Sequence, residues 1–394
     1  MNKQILIAGI VSLFFCSCNI NSVEIVKSTD FKTGLVEVKF NLKGLYFDKH
    51  LQQETVFFSD GEEFIKTYSL QGGLLDSIPL KNIVGLYSRR PHFVLPYSRD
   101  TIFCGQYFGE GIAVINSAGD VYHTVTVDDA LPDSLKGLIL AQHFIPYPLT
   151  TPNKILFRNY LSWHGLMKKE YKTDLNIVAQ HGFFCKSFHN IPYFIELNNI
   201  FSDTAEYRLG LYDYYKNNFA ENNASMSESG FFKEANSFVF LLCSATGKIF
   251  KINPNSFEVL QEIEVKSQFT EIKSSYTYMD LRNKTEALKT GELYKSVIGE
   301  LFYDEKNGKY LVIVLHSVNT QEEFDRFEAF NYRPFSIIAY DANFENPVEY
   351  NFEGNTYNAR ISFMCSEGFM IQRKPENLTV HNYGTQTFDL LKFN

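Results

Sequence analysis

The stretch Asn236–Val265 decides the fold. It reads NSFVFLLCSATG, KIFKINPN and SFEVLQEIEV in succession. The first part is an apolar run of strand length that stops at Ala-Thr-Gly. The other two parts alternate between apolar and polar residues and are separated by Asn-Pro-Asn. Two-residue periodicity between such turn signals is typical of short antiparallel strands, so the stretch predicts three strands of one small sheet.

The same pattern of three strands recurs along the chain. Five further copies are predicted at Thr55–Ser59, Phe64–Ser69 and Leu74–Leu80; Asp100–Tyr107, Gly111–Asn116 and Val121–Val127; Lys154–Asn159, Met167–Thr173 and Asn176–Phe184; Lys309–Leu315, Ser336–Asp341 and Val348–Phe352; and Gly368–Arg373, Asn377–Asn382 and Gln386–Phe393. A fourth, innermost strand is expected before each copy. Six such units predict an all-β fold, a six-bladed β-propeller. The alternatives are an array of β-sandwiches and a seven-bladed propeller with a degenerate blade in Ile191–Phe219.

The N-terminus has the pattern of an export signal. Lys3 precedes the apolar run Ile5–Phe15, which is too short to span a bilayer, and Ser17-Cys18 follows. This arrangement resembles the signal of bacterial lipoproteins, in which the cysteine is lipidated. We therefore expect a signal peptide over residues 1–17, a lipid anchor on Cys18, a tether over residues 18–33 and a single propeller domain over residues 34–394. The alternative is an ordinary secretory signal cut nearby.

Composition limits the function. The chain of 394 residues has a net charge of −8 and no run of Lys or Arg, so no nucleic-acid partner is expected. Cys104, Cys185, Cys243 and Cys365 have apolar neighbours and no C-x-x-C spacing, which predicts buried thiols without a metal site. No G-x-S-x-G, H-E-x-x-H or phosphate-binding loop motif is present. The sequence accordingly predicts no catalytic residue, no metal and no cofactor.

The whole pattern is similar to a known group of proteins. An exported lipoprotein with six such units, one of them reading YDEKNGKYLVIVLHS at 303–317, resembles the six-bladed, TolB-like propeller lipoproteins of Bacteroidetes. One branch of that group is a domain of unknown function. The resemblance implies the fold and a place in the cell envelope, and it brings no active residues with it. The absence of an acidic run after Cys18 favours the periplasmic side of the outer membrane.

The predicted ligand site lies where long connections meet. Three insertions, at Cys185–Phe232, Ser267–Val297 and His316–Arg333, are expected on the face that carries the loops between second and third strands and the crossings between blades. The candidate ligand-binding residues on that face are Arg89, Arg90, His92, Arg158, Trp163, His164, Arg333 and Arg360. Guanidinium groups hold a carboxylate or phosphate bidentately. Alternatively, these arginines pair with acidic loop residues, and Trp163 fills a gap between blades.

Three functions remain open at this point. The first is a non-catalytic module that is anchored to the membrane and recognises a protein or a small ligand. The second is a metal-dependent hydrolase of the lactonase or esterase type that uses the propeller channel. The third is a glycan-handling lipoprotein, which the single Trp residue disfavours because sugars stack on large aromatic faces.

Overall fold

The computed structural model describes residues 22–35, 37–39, 42–86, 91, 93–105, 112–125, 147–148, 153–158, 194–201, 206–210, 231–243, 247–272, 296–326, 332–375 and 384–393. The strands of this part of the chain form six antiparallel sheets of four strands each. Strands that are buried on both sides read as apolar runs, such as Phe238–Cys243 and, with Ser336 as its one polar residue, Phe335–Tyr340. The runs that mark the repeats in the sequence are therefore central strands of the sheets.

Five sheets are consecutive in sequence, and each runs from its innermost to its outermost strand. The first sheet contains β2 (Lys43–Asp48), β3 (Gln53–Ser59), β4 (Phe64–Ser69) and β5 (Leu74–Pro79). The second contains β6 (Phe93–Ser98), β7 (Thr101–Gly105), β8 (Ile112–Ile115) and β9 (Val121–Val125). The third contains β10 (Tyr147–Pro148), β11 (Lys154–Arg158), β12 (Phe194–Asn198) and β13 (Glu206–Gly210). The fourth contains β14 (Phe231–Ala235), β15 (Phe238–Cys243), β16 (Lys248–Ile252) and β17 (Val259–Glu264). The fifth contains β18 (Val297–Asp304), β19 (Lys309–Leu315), β20 (Phe335–Tyr340) and β21 (Val348–Phe352).

The last sheet, here called the closing sheet, joins the two ends of the chain. Its strands from the inside are β22 (Tyr357–Cys365), β23 (Gly368–Arg373), β24 (Thr385–Phe393) and then β1 (Val23–Lys32). Phe31 of β1 is fully buried and packs edge-on against Phe58, Tyr68 and Phe388. The N-terminal strand is thus part of the core between the closing sheet and the first sheet.

Buried clusters connect the sheets around a ring. Four clusters join the fourth sheet to the fifth, the fifth to the closing sheet, the closing sheet to the first and the first to the second. In the third sheet, β11 pairs with β12 and also contacts β14 of the fourth sheet. His123 of β9 contacts the carbonyl of Ile200, which follows β12. The protein is therefore an all-β β-propeller; the count of six blades stays a prediction, because the described core clusters link only five sheets.

Two short helices lie in the connections. α1 (Lys81–Leu86) links the first sheet to the second, and α2 (Gln321–Arg326) lies in the predicted insertion between β19 and β20. Among the residues that the structure describes, no helix is long and apolar enough to cross a membrane.

The structure corrects the N-terminal boundary. The predicted tether at 18–33 is wrong over most of its length, because Val23–Lys32 is the outermost strand of the closing sheet. The stretch Leu35–Leu42, which alternates like a strand, is not one in its described residues. Val38 and Leu42 are instead buried side chains of the connection that leads from β1 to the first sheet. Alternation there reflects burial of a loop on one side.

The third and last copies also differ from expectation. The third and fourth strands of the third sheet are β12 and β13, which lie inside the predicted insertion Cys185–Phe232. That insertion is therefore not a single crossing between blades, because the crossing starts only after β13 and ends at β14. The described residues of Ile191–Phe219 form strands of the third sheet and not a seventh blade. The predicted strands 167–173 and 176–184 lie outside the described residues. In the last copy, Gln386–Phe393 belongs to the third strand rather than the outermost one, and 377–382 lies outside the described residues.

Candidate functional site

Strand direction assigns every connection to one of two faces. The four strands of each sheet are antiparallel, so turns between first and second strands share a face with turns between third and fourth strands. This is called the turn face. Loops between second and third strands and crossings to the next sheet lie on the opposite face, called the loop face. The insertions 267–297 and 316–333 connect β17 to β18 and β19 to β20, so both begin and end on the loop face, as predicted.

The innermost strands carry a group of charged residues, here called the channel cluster: Lys43, Lys233 and Glu300. They belong to three different sheets, on β2, β14 and β18. The innermost strands of a propeller line its central channel. The Lys233 ammonium lies 3.4 Å from Oε1 of Glu300 and 4.8 Å from the centre of the Phe302 ring. The two side chains of this pair are each about a quarter exposed, so the pair faces a partly solvated space.

Lys43 completes the cluster from the first sheet. Its Nζ donates a hydrogen bond of 2.7 Å to the carbonyl of Ser362 on β22 and lies 5.9 Å from the centre of the Phe363 ring. Burial lowers the pKa of Lys43 to about 8; the charge of Lys233 lowers it further and that of Glu300 opposes the shift. Lys43 is therefore a desolvated cation with one backbone acceptor, held near a second cation and a single carboxylate.

Irregular strand pairing occurs beside two charged residues of the innermost strands, Glu300 and Arg360. The register of β18 shifts at Gly299, directly before Glu300. In β22, residues 359–361 have no partner in β23, and Arg360 is at the centre of this gap. Bulges of this kind redirect side chains and are frequent beside functional sites. The Arg360 backbone NH donates to Oδ1 of Asn358 at 3.2 Å, and its side chain is exposed on the innermost strand.

Arg333 has a different setting from Arg360. It is 2% exposed at the end of the loop that precedes β20. Burial lowers the pKa of His316 to about 4, and the charge of Arg333 contributes to the shift. The neutral His316 ring lies with Nε2 2.7 Å from the Ser336 hydroxyl oxygen. Arg333 is thus a buried cation beside the start of β20, whereas Arg360 is exposed on the innermost strand of the closing sheet.

Of the six remaining predicted site residues, the structure describes only Arg158. Arg158 is the last residue of β11, at the end of that strand from which the connection to β12 starts, and its part in a ligand site stays a prediction. The residues Arg89, Arg90, His92, Trp163 and His164 lie outside the described residues. Sequence reasoning missed Lys43, Lys233 and Glu300. The signal that could have found them is a charge within an innermost strand, where a small propeller otherwise places apolar or small side chains.

Two further expectations concern cysteines and metals. Cys104, Cys243 and Cys365 are buried free thiols, as predicted, and Cys185 lies outside the described residues. Burial raises the pKa of the Cys365 thiol, which keeps it protonated and unreactive at neutral pH. Among the described ranges, no group of three His, Cys, Asp or Glu residues could hold a metal ion.

The fold and this site define the class: a β-propeller with a charged cluster on its innermost strands. The comparisons agree with the fold. A crystal structure of a member of the DUF4221 family from Bacteroides vulgatus is similar to this chain, with a TM-score of 0.66 at 14% identity over 95% of this chain and 99% of that one. A Bacteroides fragilis protein that is described as exported covers 95% and 97% of the two chains, at 10% identity and a TM-score of 0.48.

A luciferin-regenerating enzyme matches more distantly, with a TM-score of 0.43 at 9% identity over 94% and 95% of the two chains. No family model and no curated protein matches the sequence. The likeness to the DUF4221 structure, at 14% identity, shows the fold alone.

Proposed function

We propose that this protein is a six-bladed, lipid-anchored propeller of the cell envelope that binds an anionic ligand at the loop-face end of its channel and catalyses no reaction. Residues 1–17 are the signal peptide, and Cys18 carries the lipid on the periplasmic side of the outer membrane. The third sheet, β10–β13, is the sixth blade. The observation that carries the ligand-binding proposal is the channel cluster.

Charge is the first argument for an anionic ligand. Away from the turn-face ends, the innermost strands carry three cations, Lys43, Lys233 and Arg360, and two carboxylates, Glu234 and Glu300, which leaves an excess of one positive charge. The chain as a whole carries a net charge of −8, so this local excess is opposite to the protein average. A channel with charge of one sign and low-dielectric walls concentrates ligands of the opposite sign.

Desolvation is the second argument. The Lys43 ammonium is removed from water and donates a hydrogen bond of 2.7 Å to one carbonyl, that of Ser362. An ammonium has three donors, so a carboxylate or phosphate oxygen would provide it with charge-assisted hydrogen bonds. Arg360 would add a planar, bidentate donor. The predicted residues Arg89, Arg90, His92, Arg158, Trp163 and His164 would then form the outer wall of the same site on the loop face.

Calorimetric titration of the detergent-solubilised full chain with inorganic phosphate and with succinate tests this site. We expect binding of at least one anion, about tenfold weaker in Lys43→Met and tighter in Glu300→Gln, because these substitutions change the cluster charge in opposite directions. Lys49→Met and Glu305→Gln are the matched controls: both residues are exposed in turns on the other face. If neither anion binds, or if the controls change affinity as much as the cluster variants, the anion site is wrong.

The anchor has its own experiment. Metabolic labelling with a palmitate analogue should mark the wild-type protein and Cys16→Ala, and Cys18→Ala should be unlabelled and leave the membrane fraction. Cys16 is the matched control, because it lies two residues away in the same signal. Labelling that persists in Cys18→Ala would contradict the anchor and leave the ligand site untouched.

A further inference from the structure

Four outermost strands share the same irregularity. In β1, β5, β9 and β17, one residue near the start of the strand has no partner in the register of the neighbouring strand. The unpaired residues are Val26, Leu75, Tyr122 and Leu260, and each follows another apolar residue: Ile25, Leu74, Val121 and Val259. The bulge is thus a repeated device that occurs each time with two consecutive apolar side chains.

Seven of the eight side chains in these pairs are exposed, and Val121 is half-buried against the core between the first and second sheets. In a regular strand, consecutive side chains point to opposite sides of the sheet, so at least one of two neighbours is usually covered. A bulge breaks this alternation. Ile25 and Val26 are 50% and 53% exposed, and Leu74 is 60% exposed. These pairs, here called the apolar rim, therefore place aliphatic and aromatic surface in solvent at equivalent positions of four sheets.

The apolar rim lies on the turn face. Each outermost strand starts there, because it is antiparallel to the third strand of its sheet; Val23 of β1, for example, lies opposite Phe393, near the end of β24. Exposed Phe47 and Leu51, at the end of β2 and in the turn after it, lie on the same face. Nine of the eleven exposed large apolar side chains in the described residues are therefore on the turn face, and Phe64 and Phe269 are on the loop face. This asymmetry indicates an interaction surface.

The position of the anchor identifies the partner. Cys18 precedes Val23 by five residues, a span of at most about 18 Å of extended chain. A lipid on Cys18 would hold the start of β1, and with it Ile25 and Val26, within that distance of the bilayer. We propose that the turn face lies against the lipid bilayer, with the apolar rim in the interfacial region and the loop face directed away from the membrane. This inference rests on the proposed anchor.

Charge specifies the lipid chemistry. Among the described turns of this face, six carboxylates are exposed and only two lysines: Asp100, Asp120, Glu258, Glu305, Glu345 and Glu367 against Lys49 and Lys306. An acidic surface is repelled by anionic headgroups within a Debye length, and apolar side chains partition into the interface of any bilayer. The turn face therefore suits zwitterionic lipid such as phosphatidylethanolamine or phosphatidylcholine.

The orientation predicts a difference between two matched sites. Glu258 lies in the turn before β17 on the turn face, and Glu353 directly follows β21 on the loop face; both are exposed. With the full chain in phosphatidylcholine vesicles, a nitroxide on Glu258→Cys should be several-fold more accessible to membrane-soluble oxygen, relative to an aqueous nickel complex, than one on Glu353→Cys. Equal accessibility, or the reverse order, would overturn the proposal.

A second measurement separates the rim from the anchor. The Cys18→Ala chain should associate weakly with phosphatidylcholine vesicles, and replacing Leu74, Leu75, Val259 and Leu260 by Ser should lower its partition coefficient about tenfold. Phe64→Ser with Phe269→Ser is the control and should change it less than twofold. Equal effects of the two sets would refute the rim. If the protein is not acylated but the rim substitutions still lower its partition into vesicles, only the anchor is refuted. If it is acylated but the two nitroxides are equally accessible, only the orientation is refuted.

Discussion

A buried carboxylate holds the N-terminal strand in the closing sheet, and its removal should have a large, graded cost. Asp389 on β24 is fully buried and accepts hydrogen bonds from both Nε (2.9 Å) and a terminal nitrogen (2.6 Å) of Arg373. The Ser28 hydroxyl on β1 donates to it at 2.8 Å and the Tyr357 hydroxyl on β22 at 3.0 Å. One side chain thus links all four strands of the sheet.

The magnitude follows from these contacts. Removal of one member of a buried ion pair costs about 3–5 kcal/mol, and Arg373 is 35% exposed, so its guanidinium can recover water when Asp389 is replaced. We therefore expect Asp389→Asn at the lower end, about 3 kcal/mol. Ser28→Ala and Tyr357→Phe each remove a hydrogen bond to the charged carboxylate and should each cost about 1.5 kcal/mol, the lower end of the range for such bonds. Arg373→Met should cost more than Asp389→Asn, because it leaves the fully buried carboxylate without its cation.

Urea unfolding followed by tyrosine fluorescence and circular dichroism measures these differences, with hydrogen exchange over β1 as a local probe. The matched control is Asp76→Asn, which removes a pair with Arg99 at 2.7 Å between side chains that are 31% and 39% exposed. Such a pair contributes at most about 1 kcal/mol. The reasoning fails if Asp76→Asn costs as much as Asp389→Asn, or if Arg373→Met is the milder of the two changes at the buried site.

Three smaller predictions follow from other contacts. Gly119→Ala should lower the free energy of unfolding by more than about 2 kcal/mol, since the residue has a φ of +79° and its Cβ would lie 2.1 Å from the Pro79 carbonyl oxygen. Gly308→Ala is the control: its φ is +62° but no atom lies within 4 Å of the added Cβ, so it should cost only about 1 kcal/mol. Equal shifts of the urea midpoint in the two variants would contradict the role of the Pro79 contact. Anion binding should weaken as pH rises through about 8, because Lys43 loses the charge that the ligand needs; titrations from pH 6.5 to 9.5 that show no weakening would exclude Lys43 as the donor. Cys104, fully buried, should react with a thiol reagent only on unfolding, and rapid labelling of the native chain at this position in a mass spectrum would contradict its burial.

The sequence predicted the strands best where burial is symmetrical. Strands β15 and β19 are covered on both sides by neighbouring sheets, and their apolar runs stand out between turn signals. The outermost strand β1 did not stand out. Among its ten residues only Thr29 and Phe31 are buried, so VEIVKSTDFK has no apolar periodicity to detect. An outermost strand of a propeller blade is hydrogen-bonded along one edge only. Burial therefore does not select apolar residues along most of its length.

Closure of the ring is a long-range property that local patterns do not contain. The last copy of the repeat looked complete in sequence, because β24 alternates like an outermost strand. Its neighbour β1 is supplied from the other end of the chain. The same limitation applies to the channel cluster. Lys43, Lys233 and Glu300 are far apart in sequence, and their charges become one site only because three innermost strands surround the same axis.

The pairing of β1 with β24 also imposes an order on how the molecule is made. β1 is synthesised before the other described strands and must wait for the last of them, β24, since Val23 lies opposite Phe393. Contacts of such high sequence separation form late, after the cost of closing a very long loop has been met. Until then Phe31 lacks Phe388, one of the three aromatic rings against which it packs, and the ring of sheets stays open. A chain without β24 would leave β1 as an unpaired strand, so the ring closes only once β24 is in place.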